Sequence, residues 1–261
     1  MRIALIGDSH GYVPALEAAL AAARGAAPDV IVFGGDLVTV PFSPDPPGET
    51  IALLRAADVH SIYGNHDLVL RSWGTPEWET MMALRLARGY QPGSWIELVP
   101  EGQARLSAED LAWLRALPAE LTFDASRPGD VYACHAIPGN PFLSIDGSDA
   151  RENVPDELRE AALRQPRPAA ADLILAAHSH VPQAFCRQAP DGHPQLVVRT
   201  GAAAGWDQGA RGDERQGGCA ILTKRGKEWE VEFQVFGWRP RDPTWTWRRS
   251  LEACPLPGRE G

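Results

Sequence analysis

The chain has 261 residues, 44% of them hydrophobic and 23% charged, the balance of a soluble globular protein able to bury a sizeable core. A formal net charge of −9 excludes a surface built to coat nucleic acid, which needs clustered Lys and Arg. It does not exclude a phosphate substrate, because a bound cation dominates its own local field.

"RIALIG" is a continuous apolar run ending in glycine and predicts a buried strand over residues 2–7. "YVPALEAALAAAR" follows with Leu16 and Leu20 at helical spacing in an alanine-rich stretch, and predicts a helix. "DVIVFGGD" predicts a second buried strand ending at Gly34–Gly35, and "HSIYGN" a third. This β-α-β alternation indicates a layered α/β fold with function at its strand ends. "PFSPDPPGE", 41–49, reads as a loop, and the helical pattern from Asp67 to about Arg88 is interrupted by "WGTP". "SAEDLAWLRALP", 107–118, carries a serine cap, an acidic first turn and a proline stop, which predicts a helix. Further strands are expected at 129–135, 172–177, 195–200, 218–223 and 228–236, with a hairpin turn at "APDGHP" and a mobile glycine-rich loop over 201–218. There is no internal repeat, and the expectation is one domain over 1–261 with a cap-like helical segment at about 67–106.

No run reaches the length of a membrane span, and the N-terminal apolar run is too short for a signal peptide. Cys134, Cys186, Cys219 and Cys254 lie far apart, without a CxxC pair, which argues against thiolate zinc and a disulfide framework. A reduced, cytoplasmic enzyme is expected.

Histidines mark the strand ends: His10 in "GDSHG", His66 in "GNHD", His135 in "YACHAIP", His178 and His180 in "AAHSH". In an extended segment, residues two apart share a side, so Asp8 with His10, and His178 with His180, can each face one centre. Adjacent residues point apart, so Asn65 and His66 divide their roles. Asp36 follows two glycines, where missing side chains allow close approach. A sulfur-free set of N and O donors suits Mn²⁺, Fe, Zn²⁺ or Ni²⁺ better than Ca²⁺ or Mg²⁺. Asp8, His10, Asp36, Asn65, His135, His178 and His180 are too many for one tetrahedral site but fit two metals sharing a carboxylate. Such pairs, ~3.5–4 Å apart, clamp a phosphoryl group undergoing in-line attack, the arrangement of phosphoester hydrolysis.

The ordered set D-x-H, G-D, G-N-H-D, a lone H and H-x-H resembles the calcineurin-like metallophosphoesterase superfamily over residues 3–180. "GDSHGYVPALEAAL" and "GDLV" resemble its small bacterial and archaeal phosphodiesterase branch. The resemblance implies a four-layer α/β sandwich, two mixed β-sheets packed face to face and flanked by helices. It implies two divalent transition-metal ions, Mn²⁺ before Fe, Zn²⁺ or Ni²⁺. One would be held by Asp8, His10, Asp36 and His180, the other by Asp36, Asn65, His135 and His178, with a bridging hydroxide as nucleophile. His66 matches the histidine that binds no metal and protonates the leaving oxygen or stabilises charge.

There are departures. Tyr12 and Cys134 replace a usual asparagine and glycine, A-H-S-H stands for G-H-T-H, and "RTGAAAG" stands where N-P-G-S-V-G is common. "GDLVTVP" lacks the Asp and Arg of Ser/Thr phosphatases, which argues against protein dephosphorylation. The expected partner is a small phosphoester, first a diester and with nucleotides among the candidates; phosphomonoester or dinucleoside polyphosphate hydrolysis is the alternative. A non-catalytic metal-binding scaffold is the rival outside the enzymes, and the intact motif set speaks against it.

Several residues have two readings. Asp67 either orients His66 or caps a helix. Arg71, Arg85 and Arg88 either form a solvated helix face or grip a second phosphate substituent. Trp73 and Trp78 belong to the core or stack on a base. Trp245 and Trp247 share a face that covers a sheet edge or meets a second copy in a homo-oligomer. His60 and His193 read as surface or turn residues, and Cys134 as a small buried residue opposite His135.

Overall fold

The computed structural model describes residues 1–87, 93–127, 129–145, 156–205 and 214–244. Its strands are β1 (Arg2–Ile6), β2 (Val30–Phe33), β3 (His60–Ser61), β4 (Glu120–Phe123), β5 (Val131–Cys134), β6 (Leu173–Ala176), β7 (Gln183–Gln188), β8 (Pro194–Arg199), β9 (Arg215–Arg225) and β10 (Glu228–Trp238). Its helices are α1 (Val13–Gly25), α2 (Pro47–Ala56), α3 (Asn65–Ser72), α4 (Pro76–Ala87), α5 (Val99–Ala104), α6 (Ala108–Ala116), α7 (Asp156–Leu163) and α8 (Pro166–Ala170).

The strands form two five-stranded sheets, ordered β10-β9-β1-β2-β3 and β4-β5-β6-β8-β7. Both are mixed: β1, β2 and β3 run parallel beside the antiparallel β9–β10 hairpin, and β5, β6 and β8 run parallel between antiparallel β4 and β7. Strand alternation sorts the side chains into layers. Ile3, Leu5, Val32, Ala133, Leu175 and Leu222 fill the space between the sheets. Their neighbours Ala4, Ile6, Phe33 and Ile221 face the other way, onto Leu16 and Leu20 of α1 and Ile51 and Leu54 of α2. On the far side, Tyr132, Cys134 and Ile174 meet Ala162 and Leu163 of α7. The order is helices, sheet, sheet, helices, the four-layer sandwich expected. Each fully buried Leu or Ile contributes roughly 1.5–3 kcal/mol to holding it.

Local departures have local causes. The third strand is two residues long, because Ile62 N–H still reaches Phe33 O at 3.1 Å but Tyr63 N–H turns to Pro118 O, and Asn65 already begins α3. β4 and β7 lie outside the expected set. Both are edge strands with half-exposed, partly polar faces, so neither shows a clean apolar period. The "APDGHP" turn does join β7 to β8, and His193 sits in it with Nε2 3.2 Å from Ala171 O and Nδ1 2.5 Å from Asp191 Oδ1. His60 is exposed against the Phe123 ring. The segment expected as a mobile loop over 201–218 is anchored at both described ends: Ala203 N–H donates to Gly7 O, Ala204 N–H to Asp8 O, and residues 215–218 belong to β9. Residues 206–213, Arg88, Trp245, Trp247 and Cys254 fall outside the described residues.

The "WGTP" interruption separates α3 from α4, and half-buried Trp73 packs there on Trp78, a buried member of the core, with ring centroids 4.6 Å apart. Among the described residues, no helix is long and apolar enough to cross a membrane.

Candidate metal centre

The segments following β1, β2, β3, β5 and β6 meet at one end of the two sheets. Asp8, His10, Asp36, His178 and His180 all have positive φ, between 48° and 70°. The expectation that Asp8 with His10, and His178 with His180, line up through extended backbone is therefore corrected. The left-handed region turns the side chains inward at a cost of roughly 1–2 kcal/mol per residue, and the surroundings enforce it. Asp8 N–H donates to Gly35 O at 2.9 Å, His10 N–H to Asp36 O at 3.0 Å and Gly11 N–H to Leu37 O at 2.8 Å, zipping the first two loops together. Gly35 (φ +98°) lies so close that an added Cβ would stand 2.5 Å from Gly64 N and 2.8 Å from His135 Nδ1. His178 and His180 do not share one centre: His180 joins Asp8 and His10, whereas His178 joins Asp36 and His135.

Asp36 stands between these groups. Its Oδ1 accepts the His66 N–H at 2.8 Å, while Oδ2 lies 3.5 Å from His135 Nε2 and 3.9 Å from His10 Nε2. On one side His10 Nε2 and His180 Nε2 face each other at 2.9 Å, with Asp8 Oδ1 3.7 Å from His180 Nε2. On the other, Asn65 Oδ1 is 3.1 Å from His135 Nε2 and 3.0 Å from His178 Nδ1.

Backbone partners settle two ring tautomers. Gly34 O, 2.7 Å from His135 Nδ1, can only accept, so Nδ1 carries a proton, and Nε2, facing Asp36 and Asn65, is the nitrogen that frees a lone pair when the ring gives up its second proton. At His66 the polarity is reversed. Val40 N–H can only donate, and it reaches His66 Nδ1 at 3.1 Å, so the neutral ring carries its proton on Nε2. A protonated nitrogen has no lone pair for a metal. His66 lies beside His10, ring centroids 4.9 Å apart, and close to Asp36, yet its ring is polarised to offer an N–H at Nε2.

The charges follow. Burial drives the His10 pKa well below its usual range, helped by His180 and His66, and burial lowers His180 to about 4; both rings are neutral with lone pairs available. Burial opposes charge on His135, but Asp36, Asp8 and the Gly34 carbonyl push its pKa up to about 9. Burial works against the Asp36 carboxylate as well, yet His135, His66 and His10 hold its pKa well below the usual carboxylate range. Asp8 is raised to about 8, first by burial and then by Asp36 and Asp67, with His135 opposing. Its Oδ1 is fully buried without a hydrogen-bond partner. An orphaned carboxylate oxygen beside converging imidazole lone pairs fits a divalent transition-metal cation.

Supporting residues that the motifs did not single out hold the loops. Thr39 Oγ1 donates to His10 O at 2.9 Å and Ser9 Oγ to Leu37 O at 3.1 Å. Asp67 caps rather than orients: its carboxylate accepts N–H bonds from Gly64, Leu37 and Val38, tying the start of α3 to the Asp36 loop. Arg71 belongs to neither reading of the sequence. It is buried, stacks 3.7 Å over the Tyr63 ring, and donates to Glu77 and to the carbonyls that end α6, Leu117 O at 2.9 Å among them. Arg85 stacks over Phe142 at 3.9 Å.

A family model described as calcineurin-like phosphoesterase matches residues 1–182, a span that holds every residue of the centre. The chain belongs to the calcineurin-like phosphoesterase family. This phosphoesterase resembles in fold a metallophosphoesterase from Sphaerobacter thermophilus, with a TM-score of 0.56, 24% identity, and coverage of 92% of this chain and 90% of that one. An archaeal phosphodiesterase aligns with a TM-score of 0.45 at 14% identity, over 90% of this phosphoesterase and 100% of its own chain. A phosphoesterase from E. coli aligns with a TM-score of 0.46 at 15% identity, over 85% and 88% respectively. No curated protein matches the phosphoesterase.

Proposed function

We propose that this phosphoesterase is a binuclear metal-dependent phosphodiesterase acting on a small phosphoester, nucleotides included. One ion would be held by Asp8, His10, Asp36 and His180 and the other by Asp36, Asn65, His135 and His178; Mn²⁺ is the first candidate, with Fe, Zn²⁺ and Ni²⁺ compatible with the same donors. Bound there, the ions would supply Lewis acidity toward water and the phosphoryl oxygens. The observation that carries the reading is Asp36 Oδ2 facing His10 on one side and His135 on the other, with the oppositely polarised His66 ring alongside. Asn65 adds a neutral oxygen donor, so two carboxylates against two dications leave the site attractive to a phosphodiester anion. His66, its Nδ1 occupied by Val40 N–H, would turn its Nε2–H to the departing alkoxide oxygen and stabilise the charge that develops there by hydrogen bonding. We read the chain as one domain in which the helical segment at about 67–106 caps this site.

The test is hydrolysis of bis(4-nitrophenyl) phosphate by protein loaded with Mn²⁺. His66→Ala should lower kcat by roughly 10²–10⁴-fold with the metal content unchanged by elemental analysis. Normal turnover by that variant would remove His66 from the mechanism. Rates on monoesters and dinucleoside polyphosphates separate the neighbouring activities, and metal binding without hydrolysis of any ester supports the scaffold instead.

A further inference from the structure

A cavity of about 590 Å³ is lined from the two segments that carry Asn65 and His135, though by neither residue itself. That volume falls within the ~300–1,000 Å³ of small-ligand sites. Tyr63 and Leu68, which line it, bracket Asn65 and His66, and Ile137 follows His135 by two residues. Along α3, Leu68 stands one turn from Asn65 on the same face, whereas His66 projects about 100° round the helix in the opposite sense. The cavity therefore flanks the Asn65–His135 side of the centre, away from His66. Met81 and Leu84 of α4 form another wall, with Phe142 beneath the Arg85 guanidinium. The lining is predominantly apolar, and Glu77, at its edge, is paired with Arg71.

We propose that this cavity is a subsite for an apolar organic group of the substrate, the group that stays on phosphorus. The inference rests on the phosphodiesterase reading above. In the hydrolysis, an oxygen from water bonds to phosphorus as the P–O bond to one alcohol breaks; one water proton ends on that alcohol, the other on the phosphate product, and His66 Nε2–H hydrogen-bonds to the departing oxygen. The departing alcohol is thus on the His66 side, and the cavity across Asn65 receives the other ester group. A monoester has no such group and would leave the cavity unused, so the substrate class is a phosphodiester whose retained substituent is an aryl or an alkyl chain.

A series of 4-nitrophenyl phosphodiesters with one leaving group and a retained methyl, butyl, hexyl or phenyl group tests this in the metal-loaded protein. From methyl to phenyl, kcat/KM should climb about tenfold or more. Leu84→Glu, at a position 54% exposed, and Met81→Gln should flatten the climb without loss of the folded state by circular dichroism. Calorimetry adds a readout without turnover: phenylphosphonate should bind about tenfold more tightly than methylphosphonate, and the variants should erase the difference. A flat series with good turnover overturns the subsite and leaves the phosphodiesterase reading standing. A climb undiminished in both variants overturns its location. No turnover of any ester overturns both.

Discussion

Asn65, His66 and Asp67 leave the first turn of α3 in three directions, toward the His135–His178 pair, the Val40 N–H and the Asp36 loop. The most exacting of these demands falls on Asp67. It is fully buried, burial and Asp36 raise its pKa to about 6, and backbone N–H groups of Gly64, Leu37 and Val38 oppose the rise. Asp67→Ala would orphan three buried donors and should lower stability by about 3–5 kcal/mol in urea unfolding. A loss below ~1 kcal/mol would show that water replaces the carboxylate. Which residues gather at the centre was legible from their order along the chain. How they gather was not. Side-chain alternation in strands suggested the pairing of Asp8 with His10, but left-handed backbone produces it, and no residue type other than glycine announces that region reliably. The polarity of the His66 ring depends on a backbone group 26 positions earlier, in a stretch that reads only as the start of a loop.

At the scale of elements, α6 was readable down to its cap: Ser107 Oγ accepts the Asp110 N–H at 3.0 Å, and Pro118 follows the last turn. β4 and β7 were not, because an edge strand with one wet face has little apolar period to show. The joint between α3 and α6 also escaped the sequence, since a lone arginine on a helical pattern gives no sign of what it will reach. Arg71 bridges Tyr63, Glu77 and the carbonyls that end α6. Arg71→Met keeps the stem and removes the donors, and should lower stability by about 2–3 kcal/mol, read as a fall in Tm. Lys at this position should recover part of it as a single point donor. Equal melting of Met and Lys variants would assign the whole effect to the stem.

For the whole molecule, the centre links proton binding to folding. His135, held at about 9, and Asp8, at about 8, keep protons in the folded metal-free protein that the unfolded chain releases at about 6.5 and 3.8. In the interval between each pair of values the native state binds more protons, so metal-free stability falls as pH rises from about 6.5 toward 9. A cation at the same atoms would displace those protons and stabilise the fold by mass action. The rise in Tm on adding Mn²⁺ should therefore be larger at about pH 8.5 than at about pH 6.5. Scanning calorimetry at fixed ion concentration measures it, and equal shifts at both pH values would mean that no proton is exchanged for the metal.

The two sheets donate to the centre separately: Asp8, His10 and Asp36 follow strands of the first, and His135, His178 and His180 follow strands of the second. An ion held between Asp8 and His180 would consequently be a strut across the sandwich, pinning one rim of layers that meet between the sheets through apolar contacts. Withdrawing it with a chelator should let that rim breathe. Amide deuterium uptake should quicken at 7–11 and 177–180 and stay unaltered in the β9–β10 hairpin, whose ladder runs along the opposite flank of its sheet. Uniform uptake along the chain would mean that the rim opens only when everything does.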